Sequence, residues 1–179
     1  MLSKYKEIFI YANKILANDQ EIGRFRKRKG SPHYIQNVLY HLANYPTGVA
    51  VDLEIVNHDE EIIGYIRKPS GIRPKNFHIF NEDKEHLGDV QTGWTYKNIN
   101  FMNTKGELIL KMTGASSGID FVVEDLEKDL QYSIRKRSLV VYGDEPNVGG
   151  EGFYITIPDD PVRTLMLIGL CYCQIYQMK

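Results

Sequence analysis

The stretch Asp159-Asp160-Pro161-Val162-Arg163-Thr164-Leu165-Met166-Leu167-Ile168-Gly169-Leu170-Cys171-Tyr172-Cys173-Gln174-Ile175-Tyr176-Gln177-Met178 reads as one helix with a defined start. Asp160 is a good N-cap, because its carboxylate can accept from the first free amides. Pro161 then supplies a helical φ where no donor is needed. From Leu165 to Cys173 no residue is charged or strongly polar, so every face of two turns is apolar. A helix that is apolar all round must be buried all round. The enclosure is either lipid or protein, and at about 27 Å for about 18 residues the helix is marginal for a bilayer, which wants about 20 predominantly apolar residues.

The rest of the chain supplies a protein enclosure. Upstream, a unit repeats at about 20 residues: an apolar-alternating run, an acidic Asn/Asp/Glu turn, and a second alternating run, which is the pattern of a β-hairpin. The turns fall at Asn18-Asp19-Gln20-Glu21, Asn57-His58-Asp59-Glu60, Asn81-Glu82-Asp83-Lys84, Asn103-Thr104-Lys105-Gly106 and Glu124-Asp125-Leu126-Glu127. Asn, Asp and Gly suit such tips because they tolerate positive φ or bond their own backbone. Val49, Val51, Leu53 and Ile55 alternate with Ala50, Asp52 and Glu54, and Ile119, Phe121 and Val123 alternate with Asp120 and Glu124, so each strand has one buried and one wet face. The five hairpins with two further runs, Ser138 to Tyr142 and Gly152 to Ile157, predict about twelve strands.

Two segments depart from the pattern. Ser31-Pro32 opens a run with Ile35, Val38, Leu39 and Leu42 at helical spacing, which predicts a short amphipathic helix over 31–44 packed as a lid. The Gly-rich segment from Gly143 to Gly152 reads as a connection, since it lacks the Lys-Ser/Thr and following helix of a phosphate cradle. Twelve antiparallel strands need their apolar faces covered, and a barrel of eleven or more leaves room for a central helix. The prediction is a mainly β chain: a single domain over 1–179, closed as an antiparallel barrel around the helix at 160–178. Gly169, Cys171 and Cys173 are small enough for close approach to the wall.

The meander ending in Phe153-Tyr154-Ile155-Thr156-Ile157-Pro158-Asp159-Asp160-Pro161-Val162, followed by Leu165-Met166-Leu167-Ile168-Gly169-Leu170-Cys171-Tyr172, resembles the end of the tubby-like barrel superfamily. That superfamily includes tubby C-terminal domains, LURP-one-related proteins and phospholipid scramblases. The likeness is closest to the scramblase branch over this stretch and extends loosely through the hairpins. It implies a twelve-stranded barrel threaded by its C-terminal helix. Its members include membrane-tethered phosphoinositide binders and proteins proposed to move lipids, so it constrains fold more than function. The sequence departs from the scramblase pattern in having no proline-rich N-terminal region, no palmitoylatable cysteine cluster and no tail after Lys179. Of that family's acidic calcium positions only Asp159 and Asp160 have counterparts. A Ca²⁺ ion wants about six to eight oxygens, and Asp160 is better used as a cap, so no calcium site is carried over.

Composition excludes little. With 179 residues, 42% hydrophobic, 25% charged and a formal net charge of −1, the chain has an ordinary globular balance and no global attraction for nucleic acid. The N-terminus has no apolar run long enough for a secretory signal, which predicts a cytoplasmic protein. Cys171 and Cys173, two apart on one helix, cannot bridge and read as buried small hydrophobes.

Catalytic motifs are scarce. Thr113-Gly114-Ala115-Ser116-Ser117-Gly118-Ile119, with Tyr132 and Lys136, imitates the cofactor loop and Tyr-x-x-x-Lys of short-chain dehydrogenases. Asp120, however, stands where the third glycine should be, the following residues alternate as a strand, and about 60 residues remain for units that need about 30 each. The five histidines, at 33, 41, 58, 78 and 86, show no metal-ligand spacing. The expectation is a non-enzymatic chain with no cofactor or metal.

The charges are segregated. Acidic residues crowd the hairpin tips, while basic residues lie at the strand exits: Arg24, Arg26, Lys27, Arg28 and Lys29, then Arg67, Lys68, Arg73 and Lys75, then Arg135, Lys136 and Arg137. In an up-and-down meander all tips share one end and all exits the other, which predicts a basic rim for anionic membrane lipid or an acidic protein partner. The expected function is a cytosolic tubby-like binding module, peripheral at the membrane; the alternative is a scramblase-like or tail-anchored membrane protein.

Overall fold

The structure is a computed structural model that describes residues 2–28, 48–71, 76–92, 98–114, 119–139 and 150–177. After a 3-10 turn at Leu2–Lys4 come twelve strands: β1 (Glu7–Tyr11), β2 (Lys14–Ala17), β3 (Gln20–Lys27), β4 (Val51–Asn57), β5 (Ile62–Lys68), β6 (Phe77–Asn81), β7 (His86–Thr92), β8 (Asn98–Asn103), β9 (Leu108–Gly114), β10 (Asp120–Asp125), β11 (Leu130–Leu139) and β12 (Gly150–Thr156). One helix, α1 (Pro161–Gln177), follows. Every strand pairs antiparallel with its sequence neighbours, and β1 closes on β12 with Ile8 opposite Ile155 and Ile10 opposite Phe153. The sheet is therefore a closed up-and-down barrel, which has no edge left to aggregate.

The expected strand number holds, but its membership differs. Of the run expected as a strand from Ser138 to Tyr142, Ser138 and Leu139 are the end of the long β11, and 140–142 lie outside the described residues. The extra strand is instead β1, split from β2 by a turn at Ala12-Asn13, where Ala12 takes a positive φ. The amphipathic helix expected over 31–44 lies outside the described residues.

The tips follow from local chemistry. Asn18 and Asp19 both have positive φ, as a two-residue type I′ turn requires. Three later tips share one device. The side-chain oxygens of Asn57, Asn81 and Asn103 accept from the amides of Glu61, Glu85 and Glu107, four residues on, at 2.8–2.9 Å. The same asparagines donate to the carboxylates of those glutamates. The residue before each glutamate, Glu60, Lys84 or Gly106, has positive φ. A bulge follows each of these tips. Val56 pairs with Ile62, Phe80 with His86 and Met102 with Leu108, so Ile63, Leu87 and Ile109 are extra residues. A fourth bulge leaves Ile22 extra in β3. All four are apolar and join or pack on the core cluster, so the repeated bulge turns one more side chain inward near the tip end of each of these hairpins.

Inside the barrel α1 is enclosed by protein. Leu167, Ile168, Leu170, Cys171 and Cys173 have no exposed surface, and they cluster with wall residues such as Ile79, Val90, Ile99, Phe101 and Ile155. The helix starts where β12 ends, at the tip end, and is capped as expected: Oδ1 of Asp160 accepts from the amides of Val162 (2.9 Å) and Arg163 (3.2 Å). No helix among the described residues is long and apolar enough to cross a membrane. The demand for an all-round apolar enclosure is met by the sheet.

Candidate functional site

Antiparallel order runs β3, β5 and β11 in one direction, so their last residues lie toward one end of the barrel. The side chains there are less free than the sequence suggests. Arg24 lies mid-strand, opposite Val56, and bonds Glu60. Arg26 bonds Glu54 at 3.0 Å and Glu60 at 3.0 Å. Arg28 and Arg67 flank Asp52, at 3.9 and 3.5 Å. Arg135 meets Glu7, Lys136 meets Glu151, and Arg137 meets Asp120 at 2.8 Å. Lys27 is exposed at the end of β3. The carboxylates offset much of the positive field. Lys29, Arg73 and Lys75 lie outside the described residues.

Lys68 departs from the rim altogether. Period-two alternation in β5 puts Ile66 and Lys68 inside and Arg67 outside, leaving Lys68 only 5% exposed. Its ammonium donates to the Val49 carbonyl at 2.7 Å and sits 5.1 Å from the ring centre of Tyr176. The Tyr176 hydroxyl donates to the same carbonyl at 2.9 Å. Burial lowers the Lys68 pKa to about 8, against a smaller raising effect of Cys173. Burial also pushes Tyr172 up to about 12 and the thiols of Cys171 and Cys173 far above their ordinary range. Thiols so placed are neutral and inert, which is the packing role expected for them.

The dehydrogenase-like stretch is part of the wall. Thr113 and Gly114 end β9, Asp120 begins β10, and Phe121 pairs antiparallel with Gly114; residues 115–118 lie outside the described set. A helix after this loop, as dinucleotide binding needs, has no place. Tyr132 and Lys136 are four residues apart on the extended β11, about 13 Å by strand rise, rather than one turn apart on a helix.

A different group of residues is brought together on the outer wall. His78 of β6 stands opposite Asp89 of β7, and its Nδ1 is 2.7 Å from Asp89 Oδ1. The Nε2 of His86 is 2.8 Å from that same oxygen. The two imidazoles meet edge-on with centroids 5.7 Å apart, and Phe80 packs on His86 at 5.1 Å. Spacing alone hides this group, because residues three apart on a regular strand point to opposite faces. The bulge at Leu87-Gly88 supplies the missing half-period. Gly88 has φ +151°, and a Cβ there would lie 2.1 Å from the Met102 carbonyl oxygen, so only glycine fits. The tip end also carries two shallow hollows, of about 300 Å³ beside Leu2, Tyr5, Ile22 and His58 and about 250 Å³ beside Leu2, Ile63, Val162 and Leu165.

No protein-family model matches the chain, and neither the curated proteins nor the solved structures include a significant match.

Proposed function

We propose that the chain is a non-catalytic binding module of the tubby-like type, which presents its ligand surface on the outside of the barrel. The observation that carries this reading is the filled interior: α1 occupies the space where a barrel of this size would otherwise hold a ligand. The twelve-stranded closed wall and buried C-terminal helix agree with the architecture that the sequence resemblance implies. The same burial argues against a tail-anchored helix, since the faces that would meet lipid already meet the sheet.

For the ligand we propose anionic lipid headgroups, docked toward the end to which β3 and β11 run, with Arg26, Lys27 and Arg28 at the end of β3 and Arg135, Lys136 and Arg137 in the second half of β11. The support is topological, since antiparallel order runs β3 and β11 in the same direction. Their ion pairs weaken the field, and each basic residue near an anionic surface contributes only about 1 kcal/mol. Binding is therefore weak and salt-sensitive. The test is co-sedimentation with phosphatidylserine-containing and purely phosphatidylcholine vesicles at low and high salt, using the native chain and the variant Lys27→Gln/Arg28→Gln/Arg137→Gln. Binding to the anionic vesicles that fades with salt and in the variant supports the reading; equal behaviour of the two proteins, or no sedimentation by either, rejects it.

A further inference from the structure

We infer that His78, His86 and Asp89 form a binding site for a borderline divalent transition-metal ion of the Zn²⁺ class, on the outer face of the β6–β7 hairpin. The donor set is two imidazole nitrogens and one carboxylate oxygen, all within 4.8 Å of one another. Zn²⁺ takes nitrogen and carboxylate ligands at about 2.0–2.2 Å, so tetrahedral ligands sit about 3.3 Å apart. The observed separations of 2.7 and 2.8 Å from Asp89 Oδ1 to the two nitrogens are those of hydrogen bonds. Metal entry replaces the bridging protons and needs the carboxylate to back away by about half an ångström while the rings turn toward each other. The three side chains are about one-third exposed, so they have the freedom to do so and the ion has a path from solvent.

The backbone beneath is fixed. β6 and β7 are paired through Phe77–Val90, His78–Asp89 and Ile79–Gly88. The glycine bulge that turns His86 onto the face of Asp89 admits no larger residue. Arg67 of β5 stands opposite His78 in the sheet, but its guanidinium is directed to Asp52 at 3.5 Å and lies 4.8 Å from the Phe80 ring centre. Three protein ligands leave at least one coordination position open outward, for water or for a side chain of another molecule. None of the three ligands belongs to the basic rim, and the site stands whether or not β3 and β11 meet anionic lipid.

The test uses the untagged full chain, freed of metal with a chelator. Zn²⁺ is titrated in competition with a chromophoric chelator, and Co²⁺ is titrated while its visible absorption is followed. The expected result is one saturable equivalent with the absorption of nitrogen- and oxygen-ligated, low-coordinate Co²⁺. His78→Gln and Asp89→Asn should each weaken Zn²⁺ at least about tenfold, since loss of even an outer-shell partner costs about 10–100-fold. His58→Gln, at a hairpin tip, should bind as the native chain does. Far-UV circular dichroism and the melting temperature without metal show that the variants fold. No saturable binding by the folded native chain, or binding that survives both His78→Gln and His86→Gln, overturns the inference.

Discussion

Nε of Arg163, in the first turn of α1, lies 3.0 Å from Oδ2 of Asp125 at the end of β10, and both side chains are buried. The two atoms are close without hydrogen-bond alignment, so charge holds them. Arg163 also reaches Glu127 and the Met166 sulfur, while the other Asp125 oxygen accepts from the amides of Glu127 and Lys128. One arginine thus ties the start of the helix to the β10–β11 tip. Removing one partner of a buried pair strands the other charge, at a cost of about 3–5 kcal/mol. Arg163→Met should lower stability by that amount in denaturant titrations. Adding Asp125→Asn should restore part of the loss, because no buried charge remains alone; losses that add independently would contradict the account.

Gly169, the glycine of α1, lies hard against the barrel wall at Ile79. A Cβ there would lie 2.6 Å from Cδ1 and 2.9 Å from Cγ1 of Ile79. Gly169→Val should cost about 1–3 kcal/mol through overpacking. In an Ile79→Val background, which lacks Cδ1 and itself costs about 0.5–1.5 kcal/mol, the penalty should shrink. A thermal-melt double-mutant cycle reads this coupling, and a penalty unchanged by Ile79→Val would place the two residues apart.

Lys68 predicts an unusual alkaline behaviour. Its native pKa of about 8 lies below the ordinary 10.5, so between these values the unfolded chain binds the extra proton and stability rises with pH. The burden of the buried ammonium is complete below pH 8 and fades toward 10.5. Relative to Lys68→Met, the native chain should therefore gain stability over that window. Urea midpoints of the two proteins at matched pH values check it, and a constant difference would mean that Lys68 is not desolvated.

What the sequence made legible was whatever depends on local period. The alternation of Val51, Leu53 and Ile55, the Asn tips at 57, 81 and 103, and the Asp160-Pro161 start all map directly onto structure. The inward turn of Lys68 is readable too, since Ile66 and Lys68 share a parity, although a basic residue at a strand end also suits a rim. The His78–His86–Asp89 group was not legible, because the bulge at Gly88 shifts the parity by one residue and no spacing rule anticipates it. The ion pairs that offset the basic end, such as Arg135 with Glu7, join residues far apart in sequence and needed the barrel to close. Charge clustering along a chain therefore overstated the charge of the surface.

The chain's apolar helix is sealed inside its own barrel, and Cys171 and Cys173 report on that enclosure directly. They are the two cysteines of the sequence, both on α1 and both with no exposed surface. A small water-soluble disulfide reagent added to the folded protein in detergent-free buffer should modify neither thiol, and in denaturant it should modify both. Rapid reaction of either thiol in the folded chain would contradict a helix enclosed by the sheet.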